Sequence, residues 1–303
     1  MGFLKSFLSI TNNKKEGGHE TQKYHFQGPL RMIDIHAHIL PKLDDGAKNL
    51  EESIQMCRLS YQDGIRTIVA TPHILTGIYG NNRSSILAGL QELKASLLQF
   101  GIQNSEFGMK NWQSAKDLDS AFGTPHASLR ILPGADVHFS SDILQRYKRE
   151  EIVTVNDQGR YLMVEFPFQG IPYQTEEVLF QLLAKGIIPI ISHPERNMEI
   201  GQRPNRYYEM IRMGCLGQVT SMSLTGGFGL EVKRTAERLL SKRLLHIIAS
   251  DAHSTNRRPP ILSAGVRAAE KIAGKELAKR MVEEYPKAVI EGKKIDVPEP
   301  IPI

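Results

Sequence analysis

Cysteine is scarce in this 303-residue sequence: only Cys57 and Cys215 occur. They lie far apart, which argues against a disulfide framework and for a chain kept in a reducing, cytoplasmic compartment. Neither is followed six residues later by arginine, because Asp63 and Ser221 stand there, so a cysteine-nucleophile phosphatase loop is excluded. Both read as small buried hydrophobes. No apolar run approaches the roughly 20 residues that span a bilayer, so no stable membrane insertion is expected. Residues 1–10 are weakly amphipathic but broken by Lys5, with no small-residue cleavage site behind them, and Gly2 with Ser6 meets a myristoylation pattern only formally. Dense basic runs and aromatic–basic interleaving are missing too. The net charge of +5 is scattered, and no nucleic-acid partner is expected. A glycine-rich dinucleotide loop, a P-loop and a Gly-x-Ser-x-Gly elbow are all absent.

What is present is an ordinary globular composition, 41% apolar and 23% charged, in a chain long enough for one large α/β barrel or two smaller domains. Residues 1–28 read as a flexible N-terminal extension, 29–295 as the folded domain, and 296–303 as a proline-rich tail. From Arg31 onward, strand-like runs at 32–36, 67–70, 130–134, 161–164, 187–191, 216–219 and 245–249 alternate with helical patterns. The helices are expected at 50–63, 84–100, 141–149, 175–185, 204–213, 230–241, 261–272 and 275–284. Residues 101–129, with the lone Trp112, break this rhythm and read as an insertion or lid over one edge. Alternating βα units predict parallel strands with helices outside, as an open sheet or a barrel.

Polar residues of metal-ligand type recur where these strands end. His36 and His38 are two apart on one strand and project from the same face. Alone, such a pair reads almost as well as two satisfied core histidines. Beyond it come Asp45, His73, Asp136, Glu165, His193, Asp251 and His253, making five imidazoles and four carboxylates with no thiolate. This donor set suits Mn, Fe or Zn in a multinuclear site better than a structural zinc. His73 and His193 could each be loop residues, and Glu165 a carboxylate paired to an arginine. Recurrence at so many strand ends favours a shared site, and the C-terminal strand ends are where a barrel builds one.

The order Asp-Ile-His-x-His, Asp-Asp-Gly, Thr-Pro-His, Val-Glu-Phe, Ser-His-Pro-Glu-Arg and Ser-Asp-x-His resembles the polymerase-and-histidinol-phosphatase (PHP) superfamily. Within it, residues 33–48 (IDIHAHILPKLDDGAK), 193–197 and 250–260 look like the manganese-dependent protein-tyrosine phosphatases of bacterial capsule and exopolysaccharide loci. The resemblance runs from about residue 32 to 290 and implies a distorted TIM-like (β/α)7 barrel carrying three divalent ions. It implies that His36, His38 and Asp251 hold the first ion, Glu165 and His193 the second with Asp136 bridging it to the first, and Asp45, His73 and His253 the third. Asp44 then caps or supports rather than ligates. The family usually has glutamate where this chain has Asp136, and the shorter arm puts that bridge in question; His138, on the same strand face, is the alternative donor. The implied reaction is in-line attack by metal-bound hydroxide on phosphotyrosine of a protein, the tail of a bacterial tyrosine kinase being the expected partner. Arg196 and Arg258 are the candidates for grasping phosphate oxygens, with surface salt bridges as the alternative. A phosphatase of a small metabolite such as histidinol phosphate, a nuclease-like module and a degenerate metal-binding protein are the competing readings. The native metal and the oligomeric state are left open.

Overall fold

A computed structural model of the chain describes residues 31–99 and 129–303; the N-terminal extension and nearly all of the expected insertion lie outside the described residues. The chain order is β1 (Met32–Ala37), α1 (Leu50–Gln62), β2 (Ile65–Ala70), β3 (His73–Ile74), α2 (Arg83–Gln99), β4 (Arg130–Pro133), β5 (Asp136–His138) and α3 (Ile143–Lys148). There follow β6 (Tyr161–Glu165), α4 (Thr175–Ala184), β7 (Ile188–Ser192), α5 (Met198–Gln202), α6 (Asn205–Met213), β8 (Leu216–Thr220), α7 (Ser221–Thr225) and α8 (Leu230–Ser241). The last elements are β9 (Ile247–Ala249), α9 (Ser263–Ala273), α10 (Lys275–Arg280) and α11 (Glu284–Ile290).

Among the described residues every strand-to-strand pairing is parallel, in two sheets of order β1-β2-β4 and β3-β5-β6-β7-β8-β9. The sheets meet where two strands break. Thr71-Pro72 separates β2 from β3, and Gly134-Ala135 separates β4 from β5, while the Asp136 N–H donates across the gap to the Pro72 carbonyl at 3.2 Å. Proline cannot extend the ladder, and a Cβ on Gly134 would lie 2.6 Å from Val69 Cγ1, so glycine is required for the strands to approach there. At the other edge, β9 reaches β1 through the Ala37–Ala252 bridge, with the His38 N–H donating to the Ala252 carbonyl and the Asp251 N–H to that of His36, each at 2.8 Å. The parallel α/β class agrees with the sequence reading. One uninterrupted barrel ladder is not observed, because proline and glycine interrupt the strands just before the site.

Parallel strands covered on both faces have few exposed positions, and here all six residues of β1 and all five of β8 are buried. Helix borders follow local chemistry. Asn49 accepts from the Glu52 N–H at 2.9 Å and starts α1, with Glu51 and Glu52 in the first turn. Asp63, just past the end of α1, accepts from the N–H groups of Leu262 (2.6 Å) and Ser263 (2.9 Å), so one helix end supplies the cap of α9, 200 residues away. The helical tail differs from expectation in breaking into α9, α10 and α11. Short α5 and α7 were not legible, since five residues carry no usable periodicity.

His246 lies between β8 and β9, where its Nδ1 accepts from the Gly217 N–H at 3.0 Å. Burial pushes its pKa down from 6.5 to about 4. Between those values the unfolded chain takes up a proton that the fold refuses, so stability falls as pH drops from 6.5 towards 4. The full effect is on the order of 3 kcal/mol. Urea unfolding of wild type and His246→Asn across that window should show the steeper loss in wild type; equal slopes would contradict this assignment.

Candidate metal centre

The site begins at β1, whose strand geometry brings Asp34, His36 and His38 to one side. His36 Nδ1 faces Gln218 Oε1 at 2.9 Å, His38 Nδ1 faces Asp44 Oδ2 at 2.6 Å, and His253 Nδ1 faces the Asp251 carbonyl at 2.9 Å. Donation from each Nδ1 leaves the Nε2 lone pair pointing inward, which is how metal-ligating histidines are commonly oriented. The Nε2 atoms of His36 and His38 are 3.1 Å apart. Two lone pairs at that distance need a cation or a proton between them.

The carboxylates come from loops that the fold holds tightly. Gly46 permits the 39–48 loop to fold back on β1, because a Cβ there would sit 2.2 Å from the His38 carbonyl oxygen. Asp44 turns inward to His38, the His73 N–H (2.9 Å) and the Gly46 N–H (2.9 Å), leaving Asp45 to face His73 Nε2 at 3.6 Å and His253 Nε2 at 3.5 Å. His193 and Asp251 occupy left-handed backbone positions, with φ of 32° and 51°. Non-glycine residues there cost about 1–3 kcal/mol each, a strain that gathers at functional sites. Asp136 Oδ1 accepts from Ser192 Oγ at 2.6 Å, and its Oδ2 lies 3.4 Å from His36 Nε2, 3.6 Å from His73 Nδ1 and 3.9 Å from His193 Nε2. Glu165 lies 3.4 Å from both His73 Nδ1 and His193 Nε2.

These contacts are too long for good hydrogen bonds. Ligands bonded at about 2.0–2.2 Å to a shared ion are, by contrast, separated by roughly 3–3.5 Å. The buried atoms His73 Nδ1, Asp136 Oδ2, His193 Nε2, Asp251 Oδ1 and His253 Nε2 have no hydrogen-bond partner, and all of them face this cluster. Four groups could each hold an ion: His38–Asp45–His73–His253, His36–His38–Asp136, His36–His193–Asp251 and His73–Asp136–Glu165. Together they contain all nine residues expected from sequence and no others among those described. The groups overlap, His38 also joining the Asp45 group and His193 lying with His36 and Asp251, while Asp251 Oδ1 is 3.5 Å from His36 Nε2 and 3.4 Å from His38 Nε2, the expected trio. His138 falls in none of the groups and instead faces Glu165 at 3.5 Å.

Electrostatics follow the same pairing. Burial disfavours charge on His38, yet Asp44 and Asp251 raise its pKa to about 10; burial also opposes ionisation of Asp44, which His38 brings down to about 2. For Asp251, burial works against the carboxylate, but Arg196 and Arg258 hold it well below its usual range. Burial pushes His193 well below its ordinary value and His253 down to about 4, keeping both neutral and able to ligate. Arg196 Nη1 meets Asp251 Oδ2 at 2.9 Å and Arg258 binds the same oxygen, so the two candidate phosphate-grasping arginines converge on one carboxylate.

Sequence reading missed several supports. Gln218, buried on β8, orients His36 and lies 3.4 Å from the His193 N–H; a glutamine inside the otherwise small and apolar run Leu216–Thr220 was the available sign. Asp34 accepts from the Ser250 N–H (3.0 Å) and the His36 N–H (3.2 Å), tying β1 to the end of β9. Buried Glu195 accepts from the Thr220 N–H (3.0 Å) and Ser223 Oγ (2.6 Å), fixing the His-Pro-Glu-Arg turn. Tyr79 stacks on His73 with centroids 5.7 Å apart.

Parallel α/β strands with clustered imidazoles and carboxylates at their C-terminal ends define a protein built to hold divalent cations, an arrangement suited to metal-assisted hydrolysis. The chain belongs to the CpsB/CapC family of capsular polysaccharide synthesis, whose sequence profile matches residues 32–109 and 103–291. It is 34% identical over 252 residues to the tyrosine-protein phosphatase YwqE of Bacillus subtilis, covering 83% of this chain and 89% of that protein. It is 36% identical over 231 residues to the putative tyrosine-protein phosphatase CapC of Staphylococcus aureus, covering 76% and 80%. The tyrosine-protein phosphatase CpsB of Streptococcus pneumoniae is 31% identical over 264 residues, covering 86% and 98%. A crystal structure from work on YwqE and CpsB, described there as metal-dependent tyrosine phosphatases, superposes with a TM-score of 0.77 at 33% identity, covering 90% of this chain and 99% of that one.

Gln218→Leu removes the acceptor that orients His36. Calorimetric titration of chelator-stripped protein with Mn²⁺ should show affinity reduced about 10–100-fold, the usual cost of losing a ligand's supporting partner; an unchanged isotherm would contradict this role.

Proposed function

We propose that this chain is a metal-dependent protein-tyrosine phosphatase that removes phosphate from phosphotyrosine in a protein, a bacterial tyrosine kinase tail, during cytoplasmic control of capsule or exopolysaccharide synthesis. The observation that carries this reading is the set of five buried, unpartnered ligand atoms facing one another. The named activity of relatives that the chain matches over most of its length supports it. The nine residues would hold three divalent ions, manganese foremost: His36, His38 and Asp251 one, Glu165 and His193 another with Asp136 bridging, and Asp45, His73 and His253 the third. Ions held there would neutralise the phosphate dianion and acidify a water at neutral pH.

The chain's own residues supply the rest. Arg196 and Arg258, 17% and 24% exposed, offer two guanidinium forks whose geometry suits phosphate oxygens. Asp251 holds both forks beside the cluster. Gln218 and Asp44 fix the ring orientations of His36 and His38, so these rings need no rearrangement when substrate binds. A phenolate leaving group has a solution pKa near 10 and needs less acid assistance than an alkoxide. No described helix is long and apolar enough to cross a membrane.

The test strips the protein with chelator, reconstitutes it with Mn, Fe or Zn, and assays a phosphotyrosine peptide, histidinol phosphate and single-stranded DNA. Metal removal should abolish phosphotyrosine hydrolysis and Mn²⁺ should restore it. Preference for histidinol phosphate would transfer the reading to a metabolite phosphatase, and hydrolysis of nothing under any metal would refute an enzyme. In the same assay Asp136→Glu should keep or raise activity; loss would mean that this chain's shorter carboxylate has a geometry of its own.

A further inference from the structure

Phe228 stands apart from the packing logic of the rest of the molecule. It sits in the loop Gly226-Gly227-Phe228-Gly229, where Gly226 and Gly229 take φ of 89° and 95°, positions that favour glycine and set the path of the loop. Its side chain is partly exposed and is absent from both the hydrophobic core and the partly buried residues packed on it. What it meets instead is the arginine pair: the guanidinium carbon of Arg196 is 5.0 Å from the ring centroid and that of Arg258 is 5.7 Å away. Both guanidiniums bind Asp251, whose other oxygen faces His36 and His38 of the candidate centre. Two further apolar side chains, Leu230 (60% exposed) and Met198 (47% exposed), lie two residues beyond Phe228 and Arg196 respectively. α8, which begins at Leu230, packs on the turn carrying Arg196. Phe228 is therefore an aromatic side chain set directly against the cationic pair, with two exposed apolar residues close by in sequence.

We propose that Phe228 determines specificity for aryl phosphomonoesters, its partly exposed ring meeting the aromatic ring of the substrate while Arg196 and Arg258 take the phosphate. The inference rests on the phosphotyrosine reading above and deepens it. An aromatic partner is favoured because ring pairs gain energy beyond simple burial, and a ring already in contact with two cations has a defined orientation to offer. A short alkyl phosphate has nothing to place against it. Discrimination would then come from Phe228, and charge neutralisation from the arginines and the ions.

The test compares wild type, Phe228→Ala, Phe228→Leu and Phe228→Tyr, all loaded with Mn²⁺. KM for a phosphotyrosine peptide and the inhibition constant of inorganic phosphate, which has no ring, are measured in parallel. Phe228→Ala should raise KM about tenfold or more with kcat little changed, and leave the phosphate inhibition constant within about threefold. Phe228→Tyr should match wild type, with Phe228→Leu between. A parallel weakening of phosphate inhibition would show that the ring only holds the arginines, and an unchanged KM would show that it meets no substrate; either overturns the proposal. Wild-type protein that fails to hydrolyse the peptide with any metal would instead refute the phosphatase reading itself, before any variant is compared.

Discussion

Burying ionisable groups without partners is the expense around which this molecule is built. Nine imidazole and carboxylate side chains converge at the ends of parallel strands, and five of their atoms are themselves buried and lack hydrogen-bond partners. Each desolvated charge costs several kcal/mol unless something of opposite sign is supplied. The chain supplies only part of it: Arg196 and Arg258 serve Asp251, while Asp136 Oδ2 faces three imidazoles and no permanent cation among the described residues. Divalent ions would offset the remainder, which explains why the cluster can be both buried and incompletely hydrogen-bonded.

The scaffold follows from that requirement. Two strands are broken within two residues of His73 and Asp136, and the breaks let the sheet deliver these side chains to one point. Left-handed backbone at His193 and Asp251 does the same for two further candidate ligands. Asp34, Gln218, Glu195 and Asp44 each fix a ligand-bearing segment from behind. None of these four falls in a candidate cation group, yet each sets where a donor atom points.

Much of the site was legible before the fold was known. Ligands at strand ends leave a one-dimensional trace, because each follows an apolar run and precedes a turn: His73 after Ile68-Val69-Ala70, His193 after Ile190-Ile191, Asp251 after Ile248-Ala249. Strand and helix positions were readable for the same reason, long periodic segments being the clearest. What could not be read was anything depending on partners distant in sequence. Gln218 is one polar residue among buried ones until His36 is seen 182 positions away, and Phe228 is one aromatic residue in a glycine loop until two arginines are seen beside it. The division of these residues among ions came only from the family resemblance, since it depends on interatomic distances. The split into two sheets escaped because Thr71-Pro72 and Gly134-Ala135 read as strand ends rather than as interruptions within a continuing direction.

Anomalous diffraction at the manganese edge, from crystals grown with Mn²⁺, tests the central claim most directly. The account predicts strong peaks within bonding distance of Asp136, Asp251 and the ligating nitrogens of His36, His38, His73, His193 and His253, with Gln218 still on His36 Nδ1. Crystals that diffract well, show no peak at this cluster and have water or protonated side chains between those atoms would contradict it.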